Sequence, residues 1–234
     1  MDIKAVFFDL DGTLLPMDQD EFVHKYLGSL AAKLAPYGYE PKTFVKTIFD
    51  GITAMSNGKK LNEEDFWDNF VAVYGEGCKE HIPVFEDYYL NDFDNVSSIV
   101  NRNEKANEIV KNLKANGVMV ILATNPVFPA IATECRMKWA GLDKNDFDLV
   151  TTYENSYTTK PSLAYYEEIL DKFGLKPNEC IMVGNDVGDD MVAENLGFKV
   201  FLLTDYLINT ENKDISKYPQ GGFLSLEKFL NENI

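Results

Sequence analysis

Four stretches of this chain are strand-favouring and mostly apolar without the polar alternation of a half-exposed sheet, the pattern of parallel strands buried on both faces. The first is Ile3 to Phe8, and the second is Val118-Met119-Val120-Ile121-Leu122-Ala123. The third is Cys180-Ile181-Met182-Val183 and the fourth Lys199-Val200-Phe201-Leu202-Leu203, with Asp148-Leu149-Val150-Thr151 as a short further strand. Helical periods over 103–116, 129–139 and 162–173 separate them. In the first of these helices Ala106, Ile109, Val110 and Leu113 share one face, and Gly117 stands where the helix must stop. Strands alternating with amphipathic helices predict an α/β fold, an open parallel sheet flanked by helices with right-handed crossovers. The chemistry then belongs at the carboxyl ends of the strands.

Between the first strand and residue 103 the pattern changes, and helices are expected over 20–34, 41–55, 63–74 and 84–91. The third of these is expected to be capped by Asn62 and to bury Phe66, Phe70 and Val73. The expected organisation is a core of 1–16 and 100–234 interrupted by a smaller α-helical domain, 17–99. With 234 residues, 45% of them hydrophobic and 26% charged, the chain has ordinary globular proportions and can bury a sizeable core. Cys78, Cys135 and Cys180 are odd in number and widely spaced, which argues for a reducing compartment over a disulfide framework. The apolar run at the N-terminus is too short for a secretory signal, and no stretch has the roughly 18 apolar residues a membrane span needs, so a cytoplasmic protein is expected. A net charge of −16 argues against nucleic acid as a partner, because that affinity draws on clustered Lys and Arg.

The carboxylates cluster at predicted strand ends. Asp9 and Asp11 leave the first strand one residue apart, with Gly12 providing torsional freedom for the turn. Such a pair lets one carboxylate bind a cation and attack an electrophile while the other serves as a general acid. The simpler alternative is a strand-ending turn with capping aspartates. After the second strand come Thr124 and Asn125, suited to hydrogen-bonding an anion and also to capping a following helix. Lys160-Pro161 precedes the 162–173 helix, where a lysine can neutralise a phosphoryl group and Asp9, although most lysines are solvated surface groups. The third strand runs into Gly184-Asn185-Asp186-Val187-Gly188-Asp189-Asp190, and three carboxylates in five residues repel one another unless a hard cation offsets them. His24 and His81 have no metal-spaced partner and read as surface or core residues. Lys59 and Lys60 follow Asn57-Gly58 in a turn and read as solvated.

Taken in order, Asp9-Leu10-Asp11-Gly12-Thr13, Thr124, Lys160-Pro161 and Asp186-x-x-x-Asp190 resemble the four motifs of the haloacid dehalogenase superfamily over essentially the whole chain. The usual glycine before the first acid of the fourth motif is Asn185 here, with Gly184 one place earlier, so a one-residue shift would put Asn185 itself in the metal-ligand place, for which Asp186 is preferred. The resemblance implies a Rossmann-like core and an α-helical cap inserted after the first motif. It implies Mg2+ held by the Asp9 carboxylate, the Asp11 carbonyl, Asp186 and Asp190, an aspartyl-phosphate on Asp9, and Asp11 as acid and then base. It further implies phosphate binding by Gly12, Thr13, Thr124, Asn125 and Lys160, with Lys160 also steadying Asp9. The expected substrate is a small phosphorylated metabolite, with no nucleic acid or membrane partner and a monomeric or homodimeric chain. A dehalogenase of the superfamily lacks the second aspartate, so Asp11 favours a phosphatase. A phosphomutase shares all four motifs, and a catalytically idle binding module would keep the fold without needing the full set.

Overall fold

A computed structural model describes residues 2–234, so Met1 lies outside the described residues. Its centre is a sheet of six parallel strands, β1 (Ala5–Phe8), β2 (Met119–Leu122), β3 (Leu149–Val150), β4 (Cys180–Gly184), β5 (Lys199–Leu203) and β6 (Gln220–Gly221), in the order β3-β2-β1-β4-β5-β6. Every residue of β1 and β4 is buried, which is why neither alternates polar with apolar. Successive residues still face opposite ways. Val6, Phe8, Val120, Leu122, Ile181 and Val183 join one apolar core, while Ala5, Phe7, Ile121 and Met182 join the other.

The helices are α1 (Gln19–Leu34), α2 (Pro41–Ala54), α3 (Asn62–Tyr74), α4 (Ile82–Asp87), α5 (Glu104–Ala115), α6 (Ala130–Ala140), α7 (Leu163–Phe173) and α8 (Phe223–Asn233). The Asn103 side chain caps α5 by accepting from the Lys105 amide at 3.0 Å, and the anticipated face of Ala106, Ile109, Val110 and Leu113 is buried. Tyr165, Tyr166, Ile169 and Leu170 of α7 cover the second face of the sheet. The first core runs without a break from the sheet into the helical stretch that follows β1, where Phe22, Phe44, Phe66 and Phe70 are buried.

That helical stretch departs from the expected pattern in three places. Asn62 does not cap α3. It is the first helical residue and fully buried, and its amide donates to the carbonyls of Pro126 and Thr158, both at 3.1 Å. The exposed backbone donors at the start of α3 are met from the same side, Asn62 N by the Ser156 carbonyl and Glu63 N by that of Tyr153, each at 2.9 Å. Val73, in the last turn, is 47% exposed, and Trp67 takes its place in the stripe with its indole edge-on to Phe85. The fourth helix is only six residues long and gives way to a π turn, Tyr88–Asp92, and a 3-10 stretch, Phe93–Ile99. Strand β6 and helix α8 were not anticipated. The three cysteines are free, and among the described residues no helix is long and apolar enough to cross a membrane.

The register sets where the loops emerge. Phe8 pairs with Leu122 on one side and Val183 on the other. The Asp9 amide then donates to the Val183 carbonyl at 2.9 Å, and the Ala123 amide to that of Phe8 at 2.7 Å. Asp9, Thr124 and Asn185 therefore leave the sheet at one level. The chain runs outward from β1 through β2 and β3 before returning to β4, so the order reverses beside β1, where an open α/β sheet leaves a crevice.

Because Asn62 ties α3 to the loops after β2 and β3, Asn62→Ala should lower stability by about 1–3 kcal/mol through two buried carbonyls left without a donor. Urea unfolding checks this, and an unchanged midpoint would contradict the anchoring role.

Candidate active site

The crevice holds a cavity of about 100 Å3 lined by Asp9, Asp11, Thr124, Asn125, Lys160, Asn185, Asp186, Asp189 and Asp190, with Gln19, Val127 and Phe128 completing the wall. The structure thus brings together residues that lie up to 181 positions apart, from Asp9 to Asp190, at the end of two adjacent strands.

Lys160 is the pivot. It lies in the loop before α7 and is almost completely buried; the Lys160–Pro161 peptide is cis. Its ammonium donates to Asp190 Oδ1 at 2.6 Å and to Asp9 Oδ1 at 3.0 Å. Burial pulls against its charge, but Asp190 and Asp9 more than offset that and hold the ammonium protonated well above its usual range. Asp190 uses its other oxygen, Oδ2, to accept from the Asp186 amide at 3.0 Å. Both Asp190 oxygens are therefore engaged within the protein. Gly184 makes this possible, since a Cβ there would lie 2.0 Å from Asp190 Oδ2. Tyr166 donates to the Asp189 carbonyl at 2.7 Å and Tyr165 to that of Thr124 at 3.0 Å, which ties both loops to the second apolar core.

The loop after β4 is organised by its own carboxylates. Asp186 Oδ1 accepts from the amides of Gly188 at 2.6 Å and Asp189 at 3.0 Å. Asn185 faces the other way, its Oδ1 accepting from the Thr13 hydroxyl at 2.9 Å and its Nδ2 donating to the Tyr206 carbonyl at 2.6 Å. Gly12, at φ +80°, lies directly against that amide, and a Cβ would come within 2.3 Å of it. Gly12 and Thr13 are thus buried braces between the loops after β1 and β4, and the cavity wall does not include them. The Thr13 hydroxyl, expected as a phosphate contact, is bonded within the protein in this structure.

Thr124 and Asn125 do reach the cavity. Neither caps α6, whose first amide, of Ala130, donates to both oxygens of Glu154 at 2.9 and 3.0 Å. Asn125 instead ties the neighbouring loops, accepting from the Lys160 amide at 3.3 Å and donating to Asp189 Oδ2 at 3.4 Å.

One residue was not foreseen. Arg136, on α6, has no solvent exposure, and its guanidinium pairs with Asp11 Oδ2. It also donates to the Thr133 hydroxyl at 3.2 Å and lies 4.1 Å from the centre of the Phe128 ring. Asp11 Oδ1, on the other side of the carboxyl, is buried with no protein partner. Burial raises the Asp11 pKa to about 6 despite the opposing pull of Arg136. The signal was present in the sequence: Ala132, Arg136 and Ala140 follow an i, i+4 row, and an arginine on the small-residue face of a packing helix requires a buried anion. Lys59 and Lys60 do not line this cavity, and Lys60 pairs with Asp68 on the surface.

Among the described residues no three His, Cys, Asp or Glu side chains converge as a ready-made metal cage. The donor set nonetheless suits a hard divalent ion: five carboxylates line the cavity, the only cations among its described neighbours are Lys160 and Arg136, and Asp11 Oδ1 is a buried oxygen without a donor. Mg2+ keeps several waters and needs only one or two carboxylates, so an incomplete cage is compatible with it.

Replacing Lys160 by Met would leave Asp9 and Asp190 facing each other in a dry site. The expected loss of stability is about 3–5 kcal/mol in metal-free buffer, measured by urea unfolding. A loss below about 1 kcal/mol would show that the ammonium does not hold the two carboxylates.

Several known proteins share this arrangement of chain. The pyrophosphatase PpaX of Halalkalibacterium halodurans is 26% identical over 215 residues, 91% of this chain and 88% of its own length. The PpaX of Bacillus cereus is 27% identical over 199 residues, covering 85% and 82%. Among solved structures, an HAD phosphatase from Thermococcus onnurineus superposes with a TM-score of 0.60 at 18% identity, covering 97% of this chain and 98% of its own. An L-2-haloacid dehalogenase superposes with 0.59 at 17% identity, covering 99% and 100%, so the shared architecture alone does not separate the two chemistries. The family model for haloacid dehalogenase-like hydrolases matches residues 3–204, and with its parallel sheet and its Asp9, Lys160 and Asp190 at one sheet edge, this chain is a hydrolase belonging to that family.

Proposed function

We propose that the protein is a Mg2+-dependent phosphomonoesterase acting on a small phosphorylated metabolite through an aspartyl-phosphate on Asp9. The observation that carries this reading is the division of labour between the two aspartates. Lys160 takes one Asp9 oxygen and orients the other for attack, while Arg136 takes one Asp11 oxygen and leaves Oδ1 buried and unpartnered beside it.

In the proposed reaction Asp9 attacks phosphorus as the ester P–O bond breaks, and protonated Asp11 gives its proton to the departing alkoxide. A pKa near 6 keeps an appreciable share of Asp11 protonated at neutral pH. Water then attacks the phosphorus of the aspartyl-phosphate, and the Asp11 carboxylate takes its proton as phosphate leaves. Lys160 neutralises charge on the transferring group, and Thr124 and Asn125 supply hydrogen bonds to its oxygens. The Asp9 carboxylate, the Asp11 carbonyl and Asp186 would hold Mg2+, which when bound draws charge from the phosphoryl oxygens. Asp190 serves this set by positioning Lys160 and the Asp186 amide beside the metal ligands. The helical stretch 17–99 acts as the cap over the site. Cleavage of a carbon–halogen bond has no use for a proton donor, so the Asp11–Arg136 pair favours phosphate chemistry.

With p-nitrophenyl phosphate, wild-type activity should vanish with EDTA and return with Mg2+, and Asp9→Asn should lose about 10³-fold or more. Equal activity in Asp9→Asn and wild type would remove Asp9 as nucleophile. Arg136 is a positioning residue: Arg136→Met should lower kcat by about 10–100-fold with KM little changed, and Arg136→Lys should recover part of the loss. A change confined to KM would contradict that role.

A further inference from the structure

The catalytic cavity opens into a cleft of about 1340 Å3, and the two share Gln19, Asn185 and Asp186 in their walls. This is the larger of the spaces beside the phosphoryl site into which a leaving group can extend. One wall is the apolar side of the helical stretch, Val23 and Leu27 on α1 with Val45 and Phe49 on α2. Leu207, in the loop after β5, stands on the other. Phe49 and Leu207 are 48% and 37% exposed, so each offers apolar surface that a ligand in the cleft would cover. The charged groups of the lining are Asp18, Asp20 and Asp205, together with the shared Asp186. Among the described residues the lining contains no lysine or arginine, and His24 is its only basic side chain.

An anionic leaving group would face net repulsion here. Beyond the Mg2+ proposed at Asp186, a second phosphate or a carboxylate would meet Asp18, Asp20 and Asp205 as the fixed charges of the cleft, with the site's two buried cations already paired to Asp9, Asp190 and Asp11. An alcohol with an apolar body would bury Phe49 and Leu207 and bring no charge against those aspartates.

We therefore propose that the natural leaving group is an alcohol with an apolar body and no anionic substituent, which separates this protein from hydrolases that act on pyrophosphate. The proposal rests on the phosphomonoesterase reading and narrows its substrate class. Discrimination comes from the cleft walls, not from the phosphoryl site, so it is carried mainly by KM.

The test compares kcat/KM, with Mg2+ present, for 2-phenylethyl phosphate, phosphoglycolate and inorganic pyrophosphate, with p-nitrophenyl phosphate as the reference ester. The phenylethyl ester should exceed both anionic substrates by about tenfold or more. Phe49→Ala, at an exposed position, should narrow that ratio by raising KM for the phenylethyl ester. Asp20→Lys, also exposed, should narrow it from the other side by lowering KM for phosphoglycolate. Preference for pyrophosphate or phosphoglycolate, with p-nitrophenyl phosphate turned over in an Asp9-dependent way, would overturn this proposal and leave the phosphatase reading standing. Failure to hydrolyse any of the four would overturn both.

Discussion

A charged lysine ammonium buried at the edge of a sheet has to be held by anions, and Lys160 meets that need with Asp9 and Asp190 at 3.0 and 2.6 Å. This contact joins the end of β1, the loop before α7 and the loop after β4. Much of the surrounding structure follows from it. Gly184 is small because Asp190 folds back over it, and the Asp186 amide completes the second Asp190 oxygen. Tyr165 and Tyr166, both buried, hold the Thr124 and Asp189 carbonyls. Removing one partner of such a buried set is costly because it strands the rest, whereas the complete set places three functional groups with little freedom left to lose.

A second buried pair, Arg136 with Asp11, does for the proposed acid what Lys160 does for the proposed nucleophile. The two differ in what surrounds them. Lys160 has carboxylates on both sides, while Arg136 is packed against Phe128 and Thr133, so its charge is directed at one oxygen of one carboxylate. The same aspartate then presents a fixed oxygen on its other side. The helical stretch reaches this region too, since Phe22 of α1 also lies near the guanidinium at 5.9 Å and Asn62 of α3 holds the carbonyls of Pro126 and Thr158. Docking of the helices and placement of the acid thus share a wall.

Much of this was legible in the sequence because burial on both faces leaves an unmistakable pattern. The strands that deliver Asp9, Thr124 and Asp186 are continuous apolar runs, and the acidic and basic residues at their ends stand out against them. Features that depend on a partner far along the chain were hidden. Asn62 has the composition of a cap, and only its burial against the core shows that it bonds outward. The Thr13 hydroxyl looks like a ligand contact until it is seen to donate to Asn185. Arg136 shares the row of Ala132 and Ala140, which hints that it is buried, but nothing local names Asp11, 125 positions away, as the anion it needs. Strand β6 is two residues long and α8 packs only its Phe223, Leu226 and Leu230, too little periodic signal to separate from a polar tail.

The central claim is that phosphoryl passes to Asp9 before it reaches water. Asp11→Asn separates the two halves of that reaction when the leaving group needs no proton, as with p-nitrophenyl phosphate. Rapid mixing of this variant with the ester should release about one p-nitrophenolate per protein in a burst and then stall, with acid-stable, hydroxylamine-labile phosphate recovered on the peptide that contains Asp9. A steady release with no burst, or label on any other residue, would contradict the account.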